Sequence, residues 1–144
     1  MESMDTIYLL KECDAGTKTA VSSIDGVLEK IQHSDLKQLL TESKEHHEKL
    51  GNDIHVQLIK HHSEEKDPNP MAKGMSWIKT NLKMTMDESD STVANLITDG
   101  CDMGIKSLYK YLNQYPAADD ISKDLCKRLI GIEEKLRQDL QRFL

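Results

Sequence analysis

Asp14, His46, His47, Asp102 and Glu133 are the residues of this sequence whose types and spacing come nearest to a metal site. Carboxylate oxygen and imidazole nitrogen are donors that suit iron and similar divalent ions, and the carboxylates offset the ion's charge. Their placement is regular. CDAGTK at residues 13–18 is echoed by CDMGIK at 101–106, which matches Asp14 with Asp102. HHEKLGNDI at 46–54 is echoed by IEEKLRQDL at 132–140, which matches His47 with Glu133. The offsets, 88 and 86, are nearly equal, so the second half of the chain reads as a repeat of the first. The simpler reading of the same carboxylates is a solvated helix edge, or ion pairs with Lys18 and Lys106.

Other chemistry finds less support. His55, His61 and His62 with Glu64 and Glu65 form a His-rich polar stretch that would take up metal on a column, without the spacing of a built site. Cys13, Cys101 and Cys126 include no CxxC and have no histidine at a telling distance, so they read as small core residues in a reducing compartment. No GxSxG elbow and no Gly-rich phosphate loop occurs.

Composition narrows the class. The 144 residues are one domain by size. Apolar residues make up 38%, charged 31% and aromatic 4%, which favours helix over sheet. Nineteen Lys and Arg against 25 Asp and Glu leave a charge of −6, a poor match to nucleic acid or an anionic membrane. The first residues have no basic, apolar leader pattern, and no run is long enough to cross a bilayer, so a cytoplasmic protein is expected.

Apolar periodicity places helices at about 4–32, 35–62, 71–86, 91–115 and 119–143. Ser34 or Asp35 is expected to cap the second. Asp87, Ser89 or Asp90 is expected to cap the fourth, and Asp119 or Asp120 the fifth. SEEKDPNP reads as a loop, and Pro116 ends the helix before it. Short loops make hairpins of helices one and two and of the last two. The long connection carries the short Trp77 helix. The expected fold is all-α: a ferritin-like up-down four-helix bundle, two αα-hairpins joined by a crossover with a short fifth helix, over residues 1–144. Gly16 and Gly104, mid-helix in the matched frames, fit a close helix approach at the bundle centre.

The Cys-Asp/Glu-x-Gly-x-Lys frame in the first and third long helices, the crossover with its Trp-bearing helix, and the chain length together resemble a family of uncharacterised bacterial ferritin-like proteins, a domain of unknown function. The resemblance covers nearly the whole chain and implies the fold. It implies no settled activity, and a role in stress response or sporulation only by analogy.

A ferritin-like di-metal centre needs one Glu from each of two helices and Glu-x-x-His from each of the other two. The register places Ser43 and His46 inward on the second helix, Leu129 and Ile132 on the last, and Thr17 and Ile105 on the other two. Of six ligands only His46 remains, and no histidine follows His62. The expectation is therefore a filled core, with His46, Ser43 and Thr17 sharing hydrogen bonds. The protein is expected to be a non-enzymatic structural or interaction module with a degenerate di-metal site, no cofactor, and a homodimer or protein partner. The alternative is a protein binding iron or another divalent metal through Asp14, His46 or His47, Asp102 and Glu133. A third reading is a small-molecule or partner binder with a pocket under the Trp77 helix and the crossover methionines.

Overall fold

Apolar residues that recur every three or four positions can be buried together only along one side of a helix. The computed structural model describes residues 4–63 and 70–144, and among these there are helices and no strands. The long helices are α1 (Met4–Asp25), α2 (Ser34–Lys60), α4 (Asp90–Gln114) and α5 (Asp120–Leu140), and α3 (Pro70–Thr85) lies in the crossover. Single 3₁₀ turns follow α1 and α5 at Leu28–Lys30 and Gln141–Phe143. Most of the SEEKDPNP segment lies outside the described residues.

The first helix ends earlier than its apolar stripe suggests. Beyond Asp25 the chain turns at Gly26, yet Val27 and Ile31 remain buried, so the stripe continues through backbone that is no longer α-helical. The turn sits where α3 passes: a Cβ on Gly26 would stand 2.7 Å from Cγ2 of Ile78. A second close approach lies one turn back. A Cβ on Gly74 of α3 would collide with the Ser22 hydroxyl and the Thr19 carbonyl of α1, and Ser23 Oγ donates to the Gly74 carbonyl at 3.3 Å. Small residues at the crossing let the two backbones touch.

Caps fall close to the expected positions. Asp119 accepts from the Ser122 N–H at 2.8 Å and starts α5, and Ser89 caps α4. The cap of α2 is His33, not Ser34 or Asp35. Its Nδ1 accepts from the Asp35 N–H at 3.1 Å, because the helix begins one residue early.

Two apolar clusters fill the bundle. One gathers Ile24, Leu36, Leu40, Ile78, Val93, Ile97, Cys101, Leu136 and Leu140 at the end where α1 and α5 finish and α2 and α4 begin. The other gathers Leu9, Cys13, Leu50, Ile54, Leu108, Leu125 and Leu129 at the opposite end. Helices α2 and α4 therefore run one way and α1 and α5 the other, as two hairpins joined by the crossover.

Each hairpin clamps the loop of the other. The Gln32 and His33 N–H groups, between α1 and α2, donate to the two carboxylate oxygens of Asp90 at 2.9 and 2.8 Å. The Ala117 N–H, between α4 and α5, donates to Asp5 at 2.9 Å, and the Asp119 N–H donates to Thr6 Oγ1 at 2.8 Å. Asp5 and Asp90 both lie in the first turn of the helix that opens their hairpin, so the clamp is reciprocal.

Candidate functional site

A polar layer separates the two apolar clusters. On α1 it holds Thr17, on α2 Ser43 and His47, on α4 Gly104 and on α5 Glu133; the neighbours along each helix, one or two turns away, belong to the apolar clusters. Gly104 lies against the acid: a Cβ there would stand 3.7 Å from Cδ of Glu133, an ordinary contact.

His47 is fully buried and its two ring nitrogens are both engaged. Nδ1 lies 2.8 Å from the Ser43 carbonyl, which can only accept, so Nδ1 carries a proton. Nε2 lies 2.9 Å from Oε1 of Glu133. A hydrogen bond there needs a second proton, on the ring or on the acid, and the raised pKa of His47 favours the ring, which gives an imidazolium–carboxylate pair. Burial, the largest single influence, works against the charge on His47. The hydrogen bond and charge of Glu133 and the Ser43 carbonyl together outweigh it, and the imidazole pKa is raised above its ordinary value. Cys101 is the further neighbour of Glu133. Burial first, then the Glu133 charge and hydrogen bond, push its thiol pKa well up, so it stays protonated.

The expected site residues separate. His46 is exposed, so the inward pair of α2 is Ser43 and His47 rather than Ser43 and His46. The inward pair of α5 is likewise Leu129 and Glu133; Ile132 and Ile105 are only half-buried, against the second apolar cluster. Thr17 bonds back to the Asp14 carbonyl at 2.9 Å and does not join His46 and Ser43. Asp14 is buried and paired with Lys18 at 3.0 Å, as the ion-pair reading expects. Asp102 is exposed and paired with Arg137 at 2.7 Å rather than with Lys106. Of the five, only His47 and Glu133 meet. Among the described residues no three His, Cys, Asp or Glu side chains converge as ion ligands. The donor set therefore does not fit a di-metal centre. At the His-rich end, His61 stands 3.8 Å from Asp119, and His55 and His62 are exposed; Glu64 and Glu65 lie outside the described residues.

The cysteines are buried and unbridged. Cys13 shares a hydrogen bond with Cys126, which, with burial, pushes its pKa well up, and Cys126 donates to the Leu108 carbonyl at 3.8 Å. Neither Cys13 nor Cys101 is held as a thiolate nucleophile.

The polar layer opens on one side into a cleft of about 440 Å³ between α1 and α4, floored by α5. The residues that keep it open are small: Ala15, Gly16 and Ala20 on α1, Gly100 and Gly104 on α4. Trp77 of α3 closes one end and Tyr111 stands toward the other; Glu133 lies in the floor. This is not the pocket expected under the Trp77 helix with the crossover methionines: Trp77 is the one residue of α3 among its described lining residues, its methionine is Met103 of α4, and Met84 and Met86 of the crossover are exposed. Sequence reading missed the cleft itself. The signal was present in the small residues at helical spacing, 16 and 20 against 100 and 104, of which only Gly16 and Gly104 read in sequence as a close approach.

No helix among the described residues is long and apolar enough to cross a membrane. Comparison with protein-family models, curated proteins and solved structures finds no match.

Proposed function

We propose that this protein is a non-enzymatic bundle with ferritin-like connectivity in which the His47–Glu133 ion pair occupies the level of a lost di-metal centre, and that it works as a small-molecule binding module. The cleft between α1 and α4 carries the reading. A volume of about 440 Å³ with mostly apolar walls and a few polar groups is the form of a ligand site. Close-packed bundles fill such space with side chains, and here glycine and alanine leave it empty. The absence of a converging metal-ligand set among the described residues favours binding over metal-assisted catalysis.

The test is titration with a neutral apolar fluorophore, N-phenyl-1-naphthylamine, read by its emission and by energy transfer from Trp77, the one tryptophan. One molecule binds per chain in the wild type. In Gly100→Leu, whose side chain points toward Trp77 across the cleft, affinity falls at least about tenfold. Unchanged affinity in that variant, or no binding by the wild type, overturns the reading.

A further inference from the structure

The cleft has a charge preference built into it. Among the described residues its lining holds two carboxylates, Glu12 and Glu133, and no lysine, arginine or histidine. His47 stands behind Glu133, with Nε2 on Oε1 and Nδ1 committed to the Ser43 carbonyl. It can compensate the acid from one side only. On the cleft side the donor near Glu133 is the Cys101 thiol, a weak one. Gly104 sits beside the carboxylate without a side chain to cover it. Trp77 and Tyr111 offer aromatic faces in the same cleft, and Tyr111 hydrogen-bonds Glu12.

From this arrangement we infer that the cleft selects an amphipathic amine: an apolar, ring-sized body with a primary ammonium directed at Glu133. The inference rests on the binding reading above and adds the ligand class to it. An ammonium supplies strong donors to a carboxylate held in an apolar surround, where the charge-assisted bond is strong. Aromatic rings at the walls favour a cation further. A carboxylate ligand of the same shape meets Glu133 with like charge and finds no basic side chain among the described lining residues. A neutral alcohol gains the apolar burial and one uncharged hydrogen bond, without the ammonium's charge.

Three isosteric probes separate these cases: 1-naphthylmethylammonium, 1-naphthylmethanol and 1-naphthoate, titrated by calorimetry into the untagged protein. The expected result is ammonium binding at least about tenfold tighter than the alcohol, with no measurable binding of the carboxylate. In Glu133→Gln, which keeps a side-chain donor for a neutral His47, the ammonium and the alcohol bind alike. Glu12→Gln is the second variant, and it lowers the ammonium preference without abolishing it. Should Glu133→Gln not fold, the wild-type ratio and Glu12→Gln decide. Equal binding of ammonium and alcohol by the wild type overturns the ligand class while leaving the binding reading standing. Binding of none of the three, together with no binding of N-phenyl-1-naphthylamine, overturns both.

Discussion

His47 Nε2 and Glu133 Oε1 lie 2.9 Å apart at mid-bundle, one fully buried on α2 and the other nearly so on α5. Each is the other's match in the internal repeat. The pair therefore crosses the pseudo-symmetric centre of the molecule, and both apolar clusters pack against the layer it forms.

Removing one partner strands the other. Glu133→Ala leaves an imidazole bonded to the Ser43 carbonyl with no acid to face, and should cost about 3–5 kcal/mol of unfolding free energy in urea. The double variant His47→Leu with Glu133→Leu replaces the pair by apolar volume and should recover most of that loss. A double variant no more stable than Glu133→Ala contradicts the pair as the source of the cost.

The pair also fixes a pH dependence. The folded-state pKa of His47 is raised, so the folded protein holds its proton more tightly than the unfolded chain. The stabilisation is fully present below the unfolded pKa of about 6.5 and is lost as pH rises through the higher folded value. The stability difference between wild type and His47→Gln should shrink from pH 6 to alkaline pH. A difference that grows with pH reverses the sign and removes the imidazolium.

Helix α3 crosses α1 where glycine lets the two backbones touch. Gly74→Val forces a side chain into the Ser22 hydroxyl and the Thr19 carbonyl, the second of them helix backbone with no room to give. Overpacking of this kind costs about 1–3 kcal/mol. The Trp77 emission should shift to the red as α3 lifts, while the helical circular dichroism of the other four helices is retained.

The reciprocal clamp predicts paired losses. Asp90→Ala releases the Gln32 and His33 N–H groups, and Asp5→Ala releases Ala117. Hydrogen bonds to a charged group contribute about 1.5–3 kcal/mol, less where water reaches them, as here. Each single variant should lower Tm, and an unchanged Tm in Asp90→Ala, which loses two bonds, contradicts the clamp.

Helices, hairpins and the repeat were legible in the sequence because periodic burial and capping act locally. The site was legible only in part, and the reason is geometric. After Ser43 a helical stripe can continue at i+3 or i+4, and both His46 and His47 are histidines. Spacing alone does not choose between them. The 86-residue match of His47 with Glu133 did point to the right pair, and the alternation from Leu36 through Leu40 and Ser43 to Leu50 is regular only through His47. The end of α1 was misread for the opposite reason: burial continued at Val27 and Ile31 after the hydrogen-bond pattern had changed, and only the tertiary neighbour α3 explains the turn. Cleft volume is a property of helix separation, which no single helix's pattern carries.

The most direct test of the binding reading is a map of amide shifts in ¹⁵N-labelled protein titrated with N-phenyl-1-naphthylamine. The account predicts that the shifts fall on Gly16 and Ala20 of α1, on Gly100 and Gly104 of α4, and on the Trp77 indole N–H, and that they saturate together. Shifts spread over the outer faces of α2 and α5, or none at all, would contradict it.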